Sequence, residues 1–341
     1  MTGEAVVIVS PLVYTATIHL PKLLGKGGTP GSACYFRSMR ARLIAAFVAV
    51  YVIWGSTYLA IRFAVQTLPP LLMASARFVV AGVIVLLWAR LRDGAAWPTR
   101  VEWRVGLISG ALLLLGGNGG VSWAEQRVPS GIAALLVAIV PVFMVLLEWL
   151  RPNGTRPRAA VFAGVGLGLA GLALLVGPDA LRGGARSNAI GALVLVLASL
   201  SWAAGSLYTK LAPKATSGTM ATGTQMLLGG LALFAAAVVA GEPARLDLAH
   251  ASSSSLIAFL YLLTFGSLIG FTAYVYLLAH TTAAKASTYA YVNPVVAVLL
   301  GWAIGHEPVT SRTVLAAAVI LGGVAIITIT RDAVPVTRTD R

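Results

Sequence analysis

The sequence predicts an all-α integral membrane protein with about ten transmembrane helices in two inverted five-helix repeats. Three observations carry that prediction. Hydrophobic residues fill 58% of the 341 positions and charged residues 11%, with a mean hydropathy of +0.87, whereas an average soluble domain is about 25% charged. The apolar residues fall into runs of about 20, the length that crosses a bilayer. Features of the first half also return in the second at a nearly constant spacing.

Residues 1–38 fit the rest poorly. Ala5 to Leu20 is apolar, but it is broken by Pro11 and preceded by Glu4 rather than by a base, so it matches neither a signal peptide nor a full span. Gly25 to Gly31 reads as a linker. The segment is expected to be a leader or disordered, or translation begins at Met39, which directly precedes Arg40, Arg42 and the first convincing helix.

From there ten apolar spans are expected at about 43–65, 70–90, 103–123, 130–149, 159–177, 189–211, 218–241, 256–279, 287–305 and 314–330. The gaps hold turn or charge signals such as Leu68-Pro69-Pro70, Arg151-Pro152-Asn153-Gly154 and Gly183-Gly184. They are too short for an extramembrane domain. Alternating the gaps between two sides puts 18 of the 25 Lys and Arg residues on one side and six on the other, with Arg77 inside the second span. Cytoplasmic flanks hold such an excess, so both termini are expected in the cytoplasm. The formal charge of +14 is therefore read as membrane topology and not as a nucleic-acid surface. The lone Cys34 excludes a disulfide framework or a cysteine metal site within one chain.

The repeat rests on matched residues. Gly55, Ser56, Tyr58 and Arg62 in the first span answer Gly205, Ser206, Tyr208 and Lys210 in the sixth, with Trp54 and Trp202 ahead of them. VPVFMVLL around Pro141 in the fourth span answers NPVVAVLL around Pro294 in the ninth, and Trp123 falls opposite Tyr276. The offsets stay near 150 residues, which chance likeness among Leu/Ala/Val helices would not maintain. The expected units are 39–178 and 189–331, followed by a cytoplasmic tail, 332–341. Five spans per unit force the second unit to start on the opposite face, the inverted arrangement from which alternating access follows.

The ninth span, in Ala286 to Trp302, carries Asn293-Pro294 near its middle. Proline donates no N–H and crowds the carbonyl four residues back, that of Ala290. Such a carbonyl is tolerated at membrane depth only where protein or a wet cavity meets it. Paired with Pro141, Pro294 reads as one of two symmetry-related hinges.

WGSTYLAIR (Trp54 to Arg62), ARF (Ala76 to Phe78), GNGGVSWAE (Gly117 to Glu125), VPSGIAALLVAIVP (Val128 to Pro141) and TYAYVNPVVAVLLG (Thr288 to Gly301) together closely resemble the EamA type of the drug/metabolite transporter superfamily, and within it the YedA-like inner-membrane exporters. The resemblance covers Met39 to about Arg331. It implies a ten-helix fold of two EamA repeats that exports small metabolites, amino acids or drugs. It also implies a central path between the halves, near the first, third, fourth, sixth, eighth and ninth helices.

The residues expected along that path are Trp54, Tyr58, Arg77, Asn118, Glu125, Trp202, Tyr208, Tyr274, Tyr289, Tyr291 and Asn293. Rings with a few polar tips suit amphipathic or aromatic cargo, although Trp and Tyr at span ends also form interfacial belts, the reading for Trp88, Trp97, Trp103 and Trp149. Arg77 is costly inside a span and so is a candidate for substrate or proton coupling; snorkelling, or a structural pair with Glu125, is the other reading. Glu125 is a candidate proton carrier, Glu148 an interfacial group beside Arg151, and Glu307 a loop-facing group. Gly166-Leu-Gly168-Leu-Ala-Gly171 matches GxGxxG but lies in an apolar run without the strand that a dinucleotide site needs, so with Gly164 it reads as helix packing. Asn153-Gly154-Thr155 reads as a turn, and His280 and His306 lack metal-ligand or nucleophile context.

The expectation is therefore a secondary active transporter exporting small organic solutes by alternating access and using the proton gradient, in a cell (inner) membrane, as a monomer or homodimer. Its partners are a small-molecule substrate, the lipid bilayer and a proton counter-ion, with no nucleic acid, cofactor, metal or enzymatic activity. The alternatives are an uptake or facilitative permease and a non-transporting membrane scaffold.

Overall fold

The computed structural model describes residues 41–152, parts of 159–174, 186–281, 286–287 and 289–331. The expectations for the leader, Cys34, the turn at 153–155 and the tail lie outside the described residues. Among them the fold is all-helical, without strands. The helices are α1 (Ala41–Ala64), α2 (Pro70–Leu91), α3 (Arg100–Ala124), α4 (Ser130–Leu150), α5 (Arg186–Leu211), α6 (Gly218–Val239), α7 (Ser253–His280), α8 (Tyr289–Ala303) and α9 (Ser311–Arg331). Seven, α1 to α7, are long and apolar enough to cross a membrane. The apolar stretches of α8 and α9, Val292–Ala303 and Ser311–Gly323, are shorter. The fifth expected run is helical at each described position between 159 and 174.

Local chemistry sets the helix starts. Pro70 opens α2, where its missing N–H costs nothing. Thr99 and Glu102 form a reciprocal capping box on α3. Ser217 and Ser252 accept the N–H groups of Met220 and Ser255 at the starts of α6 and α7. Outward faces remain apolar, with Ile44, Leu193, Ile257 and Leu299 each more than half exposed. An apolar surface of that extent fits lipid.

Glycine lets the two repeats approach closely. Gly82 of α2 lies against the Leu227 backbone of α6, Gly223 against Leu86, and Gly230 against Val79, with Ser75 Oγ donating to Gly230 O at 2.9 Å. Residue numbers rise along α2 as they fall along α6, so these counterpart helices pack antiparallel. The counterparts α4 and α8 also run antiparallel, where Ser130 meets Gly301 and Gly131 meets Val298, as do α3 and α5, which are not counterparts, where Leu113 meets Gly205 and Gly120 meets Ala198. In the partly described run, Gly171 touches Ile320 of α9, and Gly164 and Gly168 touch Gly323, the packing expected of that glycine run.

Two local departures mark the centre. In α4 the helix is interrupted at Ala138–Ile139, directly before Pro141, and resumes with a three-residue bond from Val142 N to Ile139 O at 2.9 Å. Pro294, by contrast, sits inside an unbroken α8. Wide π-helical turns interrupt α1 at Val50–Trp54, α3 at Ala111–Gly119 and α7 at Leu262–Phe271. The last two fall about 150 residues apart, at counterpart positions, and such turns recur at functional sites.

Candidate functional site

The site grows from the π turn of α1, which delivers Trp54 to the middle of the bundle. Trp202, its counterpart on α5, meets it edge to face at 5.4 Å. Tyr274 of α7 and Tyr289 of α8 complete the ring cluster, 4.9 and 5.3 Å from Trp54. Edge-to-face and tilted geometries suit the quadrupoles of these rings. Their polar tips are engaged: Trp54 Nε1 donates to Gly266 O at 3.3 Å, Trp202 Nε1 to Tyr274 Oη at 3.3 Å, and Ser206 Oγ shares a 2.7 Å bond with Tyr274 Oη. Gly266 lies in the α7 π turn, and in the α3 π turn Leu112 O accepts from Ser201 Oγ of α5 at 2.8 Å. Each irregular turn thus hands a carbonyl to the other repeat.

Beside this cluster lies a cavity of about 70 Å³. That is room for a few waters and is well below the roughly 300–1,000 Å³ of sites that enclose an organic ligand. Seven expected path residues line it: Trp54, Tyr58, Arg77, Asn118, Trp202, Tyr289 and Asn293. Tyr274 stands behind the wall, Tyr208 is half-buried away from it, and Glu125 does not line it. The side chain of Tyr291 lies outside the described residues. Sequence reasoning missed Thr57, Ile61, Phe78, Val121, Val137, Ala198, Ser199 and Phe271, together with Gly117 and Gly266. The repeat offset gave one usable signal, since the π turns carrying Gly117 and Gly266 are counterparts.

Arg77 does not snorkel. It is 2% exposed, Nη2 donates to Asn118 Oδ1, the guanidinium lies 4.4 Å from the centroid of Phe78, and Nε is buried without a partner. It makes no ion pair with Glu125 among the described residues. Glu125 is fully buried, with neither carboxyl oxygen hydrogen-bonded, while its backbone carbonyl accepts from Arg62 Nη1. Asn293, with its amide nitrogen facing two carbonyls, donates to Tyr51 O at 3.1 Å and Tyr289 O at 3.2 Å. The residue ahead of Pro294 thereby ties α8 to the π turn of α1.

Glu307 corrects a sequence expectation. Rather than facing a loop, it caps α4: Oε1 accepts from Ser130 N at 2.8 Å and Ser130 Oγ at 2.9 Å, and Oε2 from Gly131 N at 3.2 Å. Unpaired N–H groups at a helix start attract a carboxylate, and α4 opens with Pro129-Ser130-Gly131, which leaves room for one. Glu242, 1% exposed, caps α2 likewise through Leu72 N at 2.8 Å. Glu148 pairs with Arg151 at 2.6 Å near the end of α4, as expected of an interfacial group.

The comparisons decide the family. The EamA-like transporter family matches residues 41–177 and 189–329, once for each repeat. The chain belongs to that family. This EamA chain is 42% identical over 288 residues to a protein of Escherichia coli (strain K12) described as the uncharacterized inner membrane transporter YedA, covering 84% of this chain and 90% of that one. It is 30% identical over 257 residues to protein PecM of Dickeya dadantii, covering 73% and 80%. A solved crystal structure with 22% identity superposes with a TM-score of 0.61 over 84% of this chain and 98% of the other, a likeness that speaks to the fold. The protein is thus a transporter of the EamA branch of the drug/metabolite superfamily, with the EamA unit present twice.

Proposed function

We propose that this EamA transporter is a secondary carrier that moves a small organic solute by alternating access between two inverted five-helix halves. The observation that carries the reading is the meeting of the counterpart tryptophans Trp54 and Trp202 beside a small cavity walled by both repeats. A carrier needs a central site that each half closes in turn. The antiparallel packing of α2 with α6 supports the inversion, and a ten-span count follows if 159–177, α8 and α9 each cross. At about 70 Å³ the cavity corresponds to a state that must open before cargo enters. Pro141, where α4 is already interrupted, and Pro294 are the proposed hinges.

The direction is export, driven by the proton gradient, with Glu125 as proton carrier because its carboxyl is buried and unpartnered. Likeness to an inner membrane transporter supports a cell (inner) membrane location, and the Lys/Arg split supports cytoplasmic termini. The oligomeric state is a monomer or homodimer. Purified protein in proteoliposomes tests the reading. Saturable counterflow of a solute, accelerated by an imposed pH gradient and uncoupled by Glu125→Gln, is expected. Counterflow indifferent to the gradient would favour a facilitative permease, and none across a broad solute panel would favour a scaffold.

A further inference from the structure

We propose a second binding site, for a primary alkylammonium group, in a cavity at the end of the bundle where α3 and α6 start. It measures about 270 Å³, against about 70 Å³ at the centre, and the two share no lining residue. Trp202 lines the central cavity and Thr209 the second, seven residues and about 10 Å further along α5. Leu113, Ser206 and Tyr274 lie between the two sets of lining residues along α3, α5 and α7. Each is fully buried, and Ser206 Oγ and Tyr274 Oη are bonded at 2.7 Å. The second cavity is thus separated from the ring cluster by a packed layer.

The floor of this cavity is chemically one-sided. Ser109 and Gln225, 1% and 4% exposed, meet there with Thr209. Ser109 Oγ commits its proton to Val105 O at 2.7 Å, and Thr209 Oγ1 commits its own to Gly205 O at 2.8 Å. Thr209 Oγ1 can therefore only accept from Gln225 Nε2, at 3.2 Å. That bond turns Gln225 Oε1 the other way, and this oxygen has no partner among the described residues. The floor presents three oxygens with open lone pairs, both hydroxyl protons being already placed. An ammonium brings three N–H donors and no acceptor, so it is the head group that answers three such oxygens, through charge-assisted bonds. Val101, Val105 and Val275 wall the space above, which suits a methylene stem. The mouth holds one charge of each sign, Glu102 and Lys214, with no ion pair between them, so the floor and not the mouth sets the head group. Because α3 belongs to the first repeat and α5, α6 and α7 to the second, a bound amine spans the seam between them.

Three five-carbon probes that share a stem and differ in the head test this: pentylamine, 1-pentanol and pentyltrimethylammonium. Thermal shift on the purified full chain in detergent is read against concentration for each. Pentylamine is expected to half-saturate at a concentration at least about tenfold below pentanol. The trimethyl compound, which keeps the charge but has no N–H to donate, should fall with pentanol. Gln225→Leu should abolish the lead of the amine, and Gln225→Glu, which puts a carboxylate on the floor, should tighten the amine severalfold. Pentanol or the trimethyl compound matching pentylamine in the wild type would overturn the proposal. So would pentylamine binding unchanged in both Gln225 variants, or all three probes inert. If Gln225→Leu does not fold, the wild-type series and Gln225→Glu decide. The site does not depend on the transport reading. A pentylamine shift without counterflow of any solute would support the site and defeat that reading, whereas counterflow of some solute with the three probes inert would do the reverse.

Discussion

Replacing Gly82 by alanine tests the close packing of α2 against α6. A Cβ there would lie 2.5 Å from Leu227 N and 2.8 Å from Leu227 Cα, where ordinary contact begins at 3.4 Å. The obstructing atoms are backbone, so no rotamer change relieves them, and α2 and α6 must part by roughly an ångström. Overpacking of this kind costs about 1–3 kcal/mol. The reciprocal contacts at Gly223 and Gly230, whose own missing Cβ atoms face the Leu86 and Val79 backbone, would be stretched with it. Gly322→Ala in α9 is the matched control, because nothing lies within 4 Å of its Cβ position and alanine gains up to about 1 kcal/mol in a helix. Thermal unfolding of the purified proteins in one detergent should place Gly82→Ala several degrees below the wild type and Gly322→Ala at or above it. Equal melting temperatures for the two variants would refute the close antiparallel crossing.

Other expectations concern the site and its ends. Trp54→Ala removes a ring that contacts three others and should reduce counterflow at least about tenfold, while the variant still reaches the membrane; wild-type flux would remove Trp54 from the path. Pro141→Ala and Pro294→Ala should slow turnover more than they lower the melting temperature, and variants that transport at wild-type rates would end the hinge role. Glu307→Gln keeps one carbonyl acceptor for Ser130 but presents a donor to Gly131 N, so a loss of about 1 kcal/mol is expected from α4, read as a lower melting temperature. An unchanged value would mean that the cap contributes nothing.

Hydropathy made the helices legible, and the repeat was legible from a few matched residues, notably Trp54 with Trp202. Their meeting across the centre was implicit in that match. The side chains that close the wall were not, because Val137, Phe78 and Phe271 are unremarkable in an apolar run and only the relative rotation of packed helices aims them inward. The π turns were hidden for a related reason: GGNGG in α3 and FGSLIGF in α7 are equally at home in an α-helix, and the wider turn is settled by what accepts the released carbonyl. Glu307 was misread because its partner lies 177 residues away in the chain, and a carboxylate beyond a helix end carries no local sign of whose N–H groups it will meet. Tyr274, expected along the path, joins the aromatic cluster and is not among the residues that line the cavity.

The glutamate caps also bear on which way the molecule rests. Glu242 and Glu307, both of the second repeat, tie the starts of α2 and α4 at one end of the bundle. At the other end Glu102 of α3 makes one such tie, accepting Thr216 N ahead of α6 at 2.9 Å. Under the proposed alternating access each end would surrender its ties to open, and among the described residues the carboxylate ties differ by one. At about 1 kcal/mol for a carboxylate on backbone N–H groups, that surplus would hold the doubly tied end shut roughly fivefold more often in such a cycle. The empty carrier would then wait with a preferred side, set by backbone amides and independent of the solute it serves.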